Sequence, residues 1–420
     1  MARCLQMRER HLQVARYQTD LRRIMRDISG IVAWLDDGAL SAPGPQELLE
    51  ELCSRLIGAG IPLERAGVFV TLLHPEFAGR SSVWRRGKPV ELRDAPYDLL
   101  RFDACLTDPV IDIQRTGTPL RRQLHDNSAA DEFPFLGRIR REGFTDYFAT
   151  PLRFTNGEVH LASWATRQPT GFTDEDLEAL TAVARPLARL AEIRSLRRTE
   201  ATLLETYLGR QASARVLSGH IRRGDTESIH AAIWLSDLRG FTSLAERLPP
   251  PELTSLLNRY FDCQVPVIEA RGGEVLKFMG DGLLAIFPTT GSGPARVCTA
   301  ALAAAREARA NILALERKAT MGRSADLPFS LALHVGEVLY GNVGGGHRLD
   351  FTVIGPAINL AARLERLARK LGRSIVTSAE FAAFCGEPLV PLGSHALRGI
   401  NALKPAFGLT EENALQAACV

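Results

Sequence analysis

Five apolar residues in a row, Ala231-Ala-Ile-Trp-Leu235, run into Ser236-Asp237 and then, at position 240, into glycine. A run so short and so apolar reads as a buried strand. From Ile229 to about Leu409 such strands alternate with helical patterns, which is the signature of an α/β architecture. Phe241 to Leu248 and Glu252 to Ile268 read as helices, the second after three prolines. Glu274 to Phe278 and Leu283 to Phe287 read as a hairpin around Met279-Gly280-Asp281-Gly282. A long alanine-rich helix follows, then strands near Phe329 to Val335 and Leu349 to Ile354, and a helix from about Ala357 to Leu371.

This half uses fewer than half of the 420 residues, so a second core is expected upstream. Leu21, Ile24, Ile28, Ile31 and Leu35 alternate steps of three and four, one helical stripe suited to a partner helix. Ser41 to Pro45 breaks it. A helix through Leu48, Leu49, Leu52 and Leu56 comes next, then a strand from Ala66 to Leu73. Strands near Tyr147 to Phe154 and Glu158 to Ala165 flank an Asn156-Gly157 turn. The pattern is α+β, an antiparallel sheet with flanking helices. Thr173 then caps a long helix with Asp174, Glu175 and Asp176 in its first turn. Its stripe is Leu177, Leu180, Val183, Leu187, Leu190, Ile193 and Leu196, continuing through Leu203, Leu204 and Leu208, and Pro186 predicts a bend. Helices on both flanks predict a parallel dimer stalk, with docking on their own domain as the alternative. The expected divisions are an N-terminal helix at 1–40, a first α+β domain at 41–175, a helical linker at 176–226 and a second domain at 227–412.

Charge and composition exclude several classes. With 51 basic and 48 acidic residues the chain carries +3, too near neutral for nucleic acid to be the main partner. No run of 18 apolar residues occurs, so no membrane span is expected; the alanine-rich stretch from Ala295 to Leu315 is interrupted by Arg296, Arg306, Glu307 and Arg309. The first 30 residues hold seven arginines and three acids and no apolar signal core. Seven cysteines without a Cys-x-x-Cys pair fit a reducing cytoplasm. Only five of the basic residues are lysines, so Lys277, between Leu276 and Phe278 in a strand, stands out.

Three segments carry chemistry. In Trp234-Leu-Ser-Asp-Leu-Arg-Gly-Phe-Thr242, Asp237 ends a strand and a helix starts at once. The N–H groups of Gly240, Phe241 and Thr242 then suit a polyphosphate, with the carboxylate holding a metal that shares it. In Leu276-Lys-Phe-Met-Gly-Asp-Gly282, Asp281 sits at a hairpin tip between glycines; a plain Asp-Gly turn is the bland alternative. Two carboxylates at neighbouring strand ends make a hard-oxygen site for Mg²⁺ on a nucleotide. In Asp350-Phe-Thr-Val-Ile-Gly-Pro-Ala-Ile-Asn-Leu-Ala-Ala-Arg363, Asn359 and Arg363 are four apart and share one helix face.

Together these segments resemble the catalytic domain of class III nucleotidyl cyclases, over roughly residues 229 to 410. The resemblance implies a ferredoxin-like α/β catalytic domain that forms cyclic AMP or cyclic GMP. It implies that Asp237 and Asp281 hold two metal ions, Mg²⁺ or Mn²⁺, that Lys277 and Thr352 read the base, that Asn359 orients the ribose and that Arg363 stabilises charge on the α-phosphate. Pro356 departs from the family, where an aspartate commonly follows the glycine. Lysine only donates, so Lys277 suits adenine N1, and the Thr352 hydroxyl can accept from the N6 amino group. ATP is therefore the expected substrate, with a guanylate cyclase or a catalytically silent nucleotide-binding module as alternatives. Lys277 and Asp281 lie four residues apart yet serve opposite ends of one nucleotide, which predicts a head-to-tail homodimer with two shared sites.

The first domain's order of elements, ending in Phe172-Thr-Asp-Glu-Asp-Leu, resembles a GAF domain, a small-molecule sensor whose ligand the sequence does not name. His74, His125, His160 and Cys105 could touch a haem or bilin, though scattered core or surface roles suit them better. Gly272-Gly273-Glu274 is similar to the Gly-Gly-acid turn of diguanylate cyclases but lacks the rest of that signature. Gly344-Gly345-Gly346 lacks the context of a dinucleotide site. Arg398 and Lys404 could reach a triphosphate or be plain surface charge.

Overall fold

The computed structural model describes residues 28–97, 109–125, 133–320, 328–346 and 348–412. The chain divides into two units, Met1–Leu203 and Leu204–Val420.

In the first unit, helices α1 (Ser29–Asp36) and α2 (Pro45–Gly58) precede three strands, β1 (Arg65–Thr71), β2 (Gly79–Arg85) and β3 (Lys88–Ala95). Then come α3 (Pro109–Thr116), β4 (Leu120–Gln123), α4 (Pro134–Arg141), β5 (Asp146–Arg153), β6 (Val159–Thr166) and the 35-residue α5 (Asp174–Leu208). The six strands form one antiparallel sheet in the order β3-β2-β1-β6-β5-β4. Alternation along β1 sends Ala66 and Val68 to a core under α1, α2 and α5, and Phe69 to a second core with Ile113, Leu136 and Ile139. Strands β2, β3 and β4 go beyond the sequence expectation. β3 buries Val90 alone, so its place comes from pairing with β2 rather than from its own pattern.

Thr173 caps α5 as expected, and reciprocally: its Oγ1 accepts from Asp176 N at 3.2 Å, and Asp176 Oδ2 accepts from Thr173 N at 3.0 Å. The helix runs on through Pro186 without interruption. The dimer-stalk expectation needs correction for part of its length. Ile31 and Leu35, and Leu180, Val183, Leu187 and Leu190, are buried in the unit's own core, each worth about 1.5–3 kcal/mol of burial there. Only the stripe beyond them opens to solvent, with Ile193 49% and Leu196 61% exposed. Leu21 and Ile24 lie outside the described residues.

The second unit opens with the last residues of α5, followed by α6 (Arg210–Leu217) and β7 (Thr226–Leu238), then α7 (Phe241–Arg247), α8 (Pro250–Asp262), α9 (Val265–Glu269) and the hairpin of β8 (Glu274–Met279) and β9 (Gly282–Pro288). It continues with α10 (Pro294–Thr320), β10 (Phe329–Gly345), β11 (Arg348–Ile354), α11 (Pro356–Lys370), β12 (Ile375–Ser378), α12 (Ala379–Phe384), β13 (Leu389–His395) and β14 (Lys404–Leu409). The eight strands run β13-β14-β12-β10-β7-β9-β8, with β11 paired to β10. Only the β10–β12 pair is parallel. The apolar run in β7 is buried on both faces: Ala232 and Trp234 enter a core with Tyr260 and Leu302, while Ala231, Ile233 and Leu235 enter one with Ala357 and Ala361 of α11.

The helix expected from Glu252 to Ile268 is two. Pro266 has no N–H to continue the ladder, and the chain turns at Cys263 and Gln264 before α9.

Candidate active site

Asp237 is the penultimate residue of β7, and Asp281 sits at the tip of the β8–β9 hairpin on the other side of β9. A Cβ on Gly282 would lie 3.1 Å from Ser236 O and 3.4 Å from Asp237 Oδ1, so glycine is what lets the tip close onto Asp237. Asp281 is close enough for its charge to act on the Asp237 carboxyl. Burial, then the charge of Asp281, then that of Glu365 push the Asp237 carboxyl up to about 6, against the opposing pull of Arg369.

Arg369 Nη2 donates to Asp237 Oδ2 and, at 3.1 Å, to Glu365 Oε1; Glu365 in turn accepts from Ser330 Oγ at 2.5 Å. A guanidinium thus neutralises a carboxylate pair at which a cation is favoured. Among the described residues no three His, Cys, Asp or Glu side chains come together. The donor set at this place is therefore two carboxylates, which fits a hard divalent ion that completes its shell with phosphate oxygens and water. Just beyond, Gly240 has φ +76° and leads into α7, whose first turn no side chain caps; Phe241 and Thr242 begin that helix.

Lys277 lies at a β-bulge between Val275 and Lys277, and its Nζ is 2.7 Å from Asp350 Oδ2 of β11. The strand lysine is therefore paired. Asp350 and Thr352 are two apart on β11 and share a face. Thr352 is 5% exposed, and its Oγ1 is buried without a hydrogen-bond partner. A hydroxyl left so costs about 1–3 kcal/mol, which a ligand group could recover.

Asn359 and Arg363 face a separate cleft of about 750 Å³, also lined by His334, Glu337, Glu380 and Lys404. Arg363 Nη1 donates to Asn359 O at 2.7 Å and its Nε to Arg398 O. His334 Nδ1 meets Ser378 Oγ at 2.8 Å, and burial pushes its imidazole down to about 4, so the ring is neutral. Lys404 Nζ lies 3.6 Å from Glu380 Oε1 inside this cleft. Asp237, Asp281, Lys277 and Thr352 do not line it. One copy of the chain therefore keeps its expected site residues in separate groups.

The second unit is similar to known proteins. The adenylate and guanylate cyclase catalytic domain matches residues 226–383. This stretch is a nucleotidyl cyclase catalytic domain. Over 159 residues (37% of this chain) it is 30% identical to an adenylate cyclase of Anabaena cylindrica, of which it covers 31%. Over 190 residues (43% of this chain) it is 29% identical to adenylate cyclase 1 of Rhizobium meliloti, of which it covers 28%. The chain thus spans under a third of the length of these curated relatives. The adenylyl cyclase CyaB from P. aeruginosa is similar over 43% of this chain and 94% of its own, at 27% identity and a TM-score of 0.40. The guanylyl cyclase Cya2 is similar over 44% and 95%, at 27% identity and a TM-score of 0.39.

Within the cyclase domain, sequence reasoning missed Asp350, Glu365 and Arg369. Asp350 had a signal, the two-residue step to Thr352, and Arg369 had one in its four-residue step from Glu365. Gly272-Gly273-Glu274 has a packing explanation: a Cβ on Gly273 would lie 2.6 Å from Ile268 Cγ2, and Glu274 accepts from Ala212 N and Tyr340 OH. In the first unit His160 is buried and accepts from Thr71 N, His74 stacks on Phe77, and His125 is exposed. Cys105 lies outside the described residues.

Proposed function

We propose that the chain is an adenylate cyclase, converting ATP to 3′,5′-cyclic AMP and pyrophosphate at sites shared by two head-to-tail copies and regulated by its first unit. The observation that carries the base choice is the donor-only Lys277 near a Thr352 hydroxyl that is buried and unpartnered. Lys277 donates to adenine N1, and Thr352 Oγ1 accepts from the N6 amino group. A site built this way rejects a base with the opposite edge, because its own polar groups would be left unpaired.

Asn359 orients the ribose, and Arg363 sets a fixed positive charge against the α-phosphate. The N–H groups of Gly240, Phe241 and Thr242 face the polyphosphate. Asp237 and Asp281 would hold two Mg²⁺ or Mn²⁺ ions, which would lower the pKa of the 3′-hydroxyl and offset charge on the leaving pyrophosphate. The rest is positioning: the 3′-oxygen is held in line with the α-phosphorus. Separation of the Asn359–Arg363 cleft from the carboxylate pair in one copy supports a shared site, since each copy then supplies what the other lacks.

The first unit acts as a GAF-like small-molecule sensor, a reading supported by its antiparallel sheet between helical layers. No helix of the described residues is long and apolar enough to cross a membrane, and four cysteines there are free, in keeping with work in the cytoplasm.

Asp350 favours a second reading, guanylate cyclase, because its carboxylate could accept from guanine N1–H and the 2-amino group. Product analysis with ATP or GTP and Mg²⁺ or Mn²⁺ separates the two. Cyclic AMP from ATP alone, lost in Asp237→Ala, supports the proposal. Cyclic GMP moves it to the second reading, and nucleotide binding without product leaves a silent regulatory module.

A further inference from the structure

A second concave site lies in the first unit. A cavity of about 620 Å³ opens between α2, the β1–β2 face and α5. Its body is aliphatic, walled by Leu48, Leu49, Val68, Leu187 and Leu190. Its charged groups are all arginines: Arg80, Arg194, Arg197 and Arg198. None of its lining residues is acidic or aromatic.

The four arginines are not equivalent. Arg80 is held by Asp94 at 2.5 and 3.0 Å. Arg194 donates to the carbonyls of Gly38, Ala39 and Gly44, which closes the turn after α1. Burial and the nearby charge of Arg197 both act to lower its affinity for a proton, with Glu47 opposing them. Arg197 and Arg198 make no ion pair among the described residues, and both are exposed at the cavity mouth. Asp94 feels Arg198, but its carboxylate is already taken by Arg80.

We infer that this cavity is a binding site for an amphipathic carboxylate, a single aliphatic chain lying among the leucines with its anionic head at Arg197 and Arg198. The volume falls in the roughly 300–1,000 Å³ range of small-molecule pockets. Guanidinium groups match a carboxylate in a fork of parallel hydrogen bonds. A nucleobase would find no ring to stack on, and a cationic ligand would meet only like charge. The chain's own segment 1–27 is a poor occupant for the same reason, since it carries seven arginines and three acids. Leu187, Leu190 and the mouth arginines all belong to α5, which runs on to Leu208, so occupancy bears on the helix that leaves this unit.

Calorimetric titration of the full chain with dodecanoate, below its micellar concentration, tests this. One dodecanoate should bind per chain, and the same-tailed cation dodecyltrimethylammonium should not displace it. Arg197→Ala with Arg198→Ala, a change to exposed side chains that leaves the core intact, should weaken binding at least tenfold. Ala191→Trp, which fills the cavity, should abolish it. The inference is overturned by no dodecanoate binding, by equal binding of the two amphiphiles, or by binding that survives both sets of changes. Binding gained only after removal of residues 1–27 would also overturn it, giving the cavity to the chain's own N-terminus.

Discussion

Asp237→Asn should make the metal-free protein more stable at neutral pH. In the folded chain the Asp237 carboxyl is raised from 3.8 to about 6, first by burial and then by Asp281. As pH rises the unfolded chain therefore gives up this proton before the folded one does. Ionised Asp237 costs stability, and the cost grows above pH 3.8 and is complete above about 6. A shift of about two units sets a ceiling of about 3 kcal/mol. The side chain keeps 27% of its exposure and touches Arg369, so solvent screening reduces this to about 1–2 kcal/mol. For a unit of this size that is roughly 2–8 °C in Tm. Thermal melts in EDTA should show the variant above the parent at pH 7.5, with the gap closed by pH 4. Added Mn²⁺ should then raise the parent's Tm and leave the variant's unchanged, because only the parent binds the ion. A variant that melts below the parent in EDTA at pH 7.5 would show that the Arg369 pair outweighs burial and repulsion. Equal Mn²⁺ shifts in both proteins would refute the assignment of Asp237 as a ligand.

Thr352→Val removes the unpartnered hydroxyl at constant shape, so unfolding free energy should rise by about 1 kcal/mol while ATP turnover falls; a loss of stability would mean the hydroxyl is satisfied. Asp350→Asn frees Lys277 from its anion, and kinetics should show a several-fold higher KM for ATP, whereas an unchanged KM would remove Asp350 from the base pocket. Arg369→Gln takes away the cation that competes for Asp237, so Mn²⁺ affinity measured by electron paramagnetic resonance should rise about two- to tenfold, and weaker binding would contradict that competition.

The residues that sequence made legible are those whose chemistry is local. The run Ala231 to Leu235 can only be a buried strand, and the structure buries it on both faces. Thr173 and the acids after it mark a helix start from four neighbouring residues. Pro266 was equally visible as a break, but the apolar spacing around it read as one continuous helix. Strand β3 was not legible, since Lys-Pro-Val-Glu-Leu-Arg-Asp-Ala has little alternation and gains its conformation from β2. In the site, Asp237, Asp281, Lys277, Thr352, Asn359 and Arg363 stood out through residue type and spacing. Their partners did not: Asp350 is 73 residues from Lys277, and Arg369 is 132 from Asp237. Such ion pairs are chosen by the folded sheet and not by the local pattern. The stalk expectation needed correction in part for a related reason, because an apolar helical stripe does not say whether its own sheet or a second chain will cover it.

The most direct test of a cyclase site shared between two copies is to mix purified Asp237→Ala and Lys277→Ala proteins, let subunits exchange, and measure cyclic AMP formed from ATP. Each variant alone should be inactive. Random pairing puts half of the chains in mixed dimers with one intact site of two, so activity should return to about a quarter of the parent's. No recovery, in a mixture shown to contain mixed dimers, would contradict the shared site.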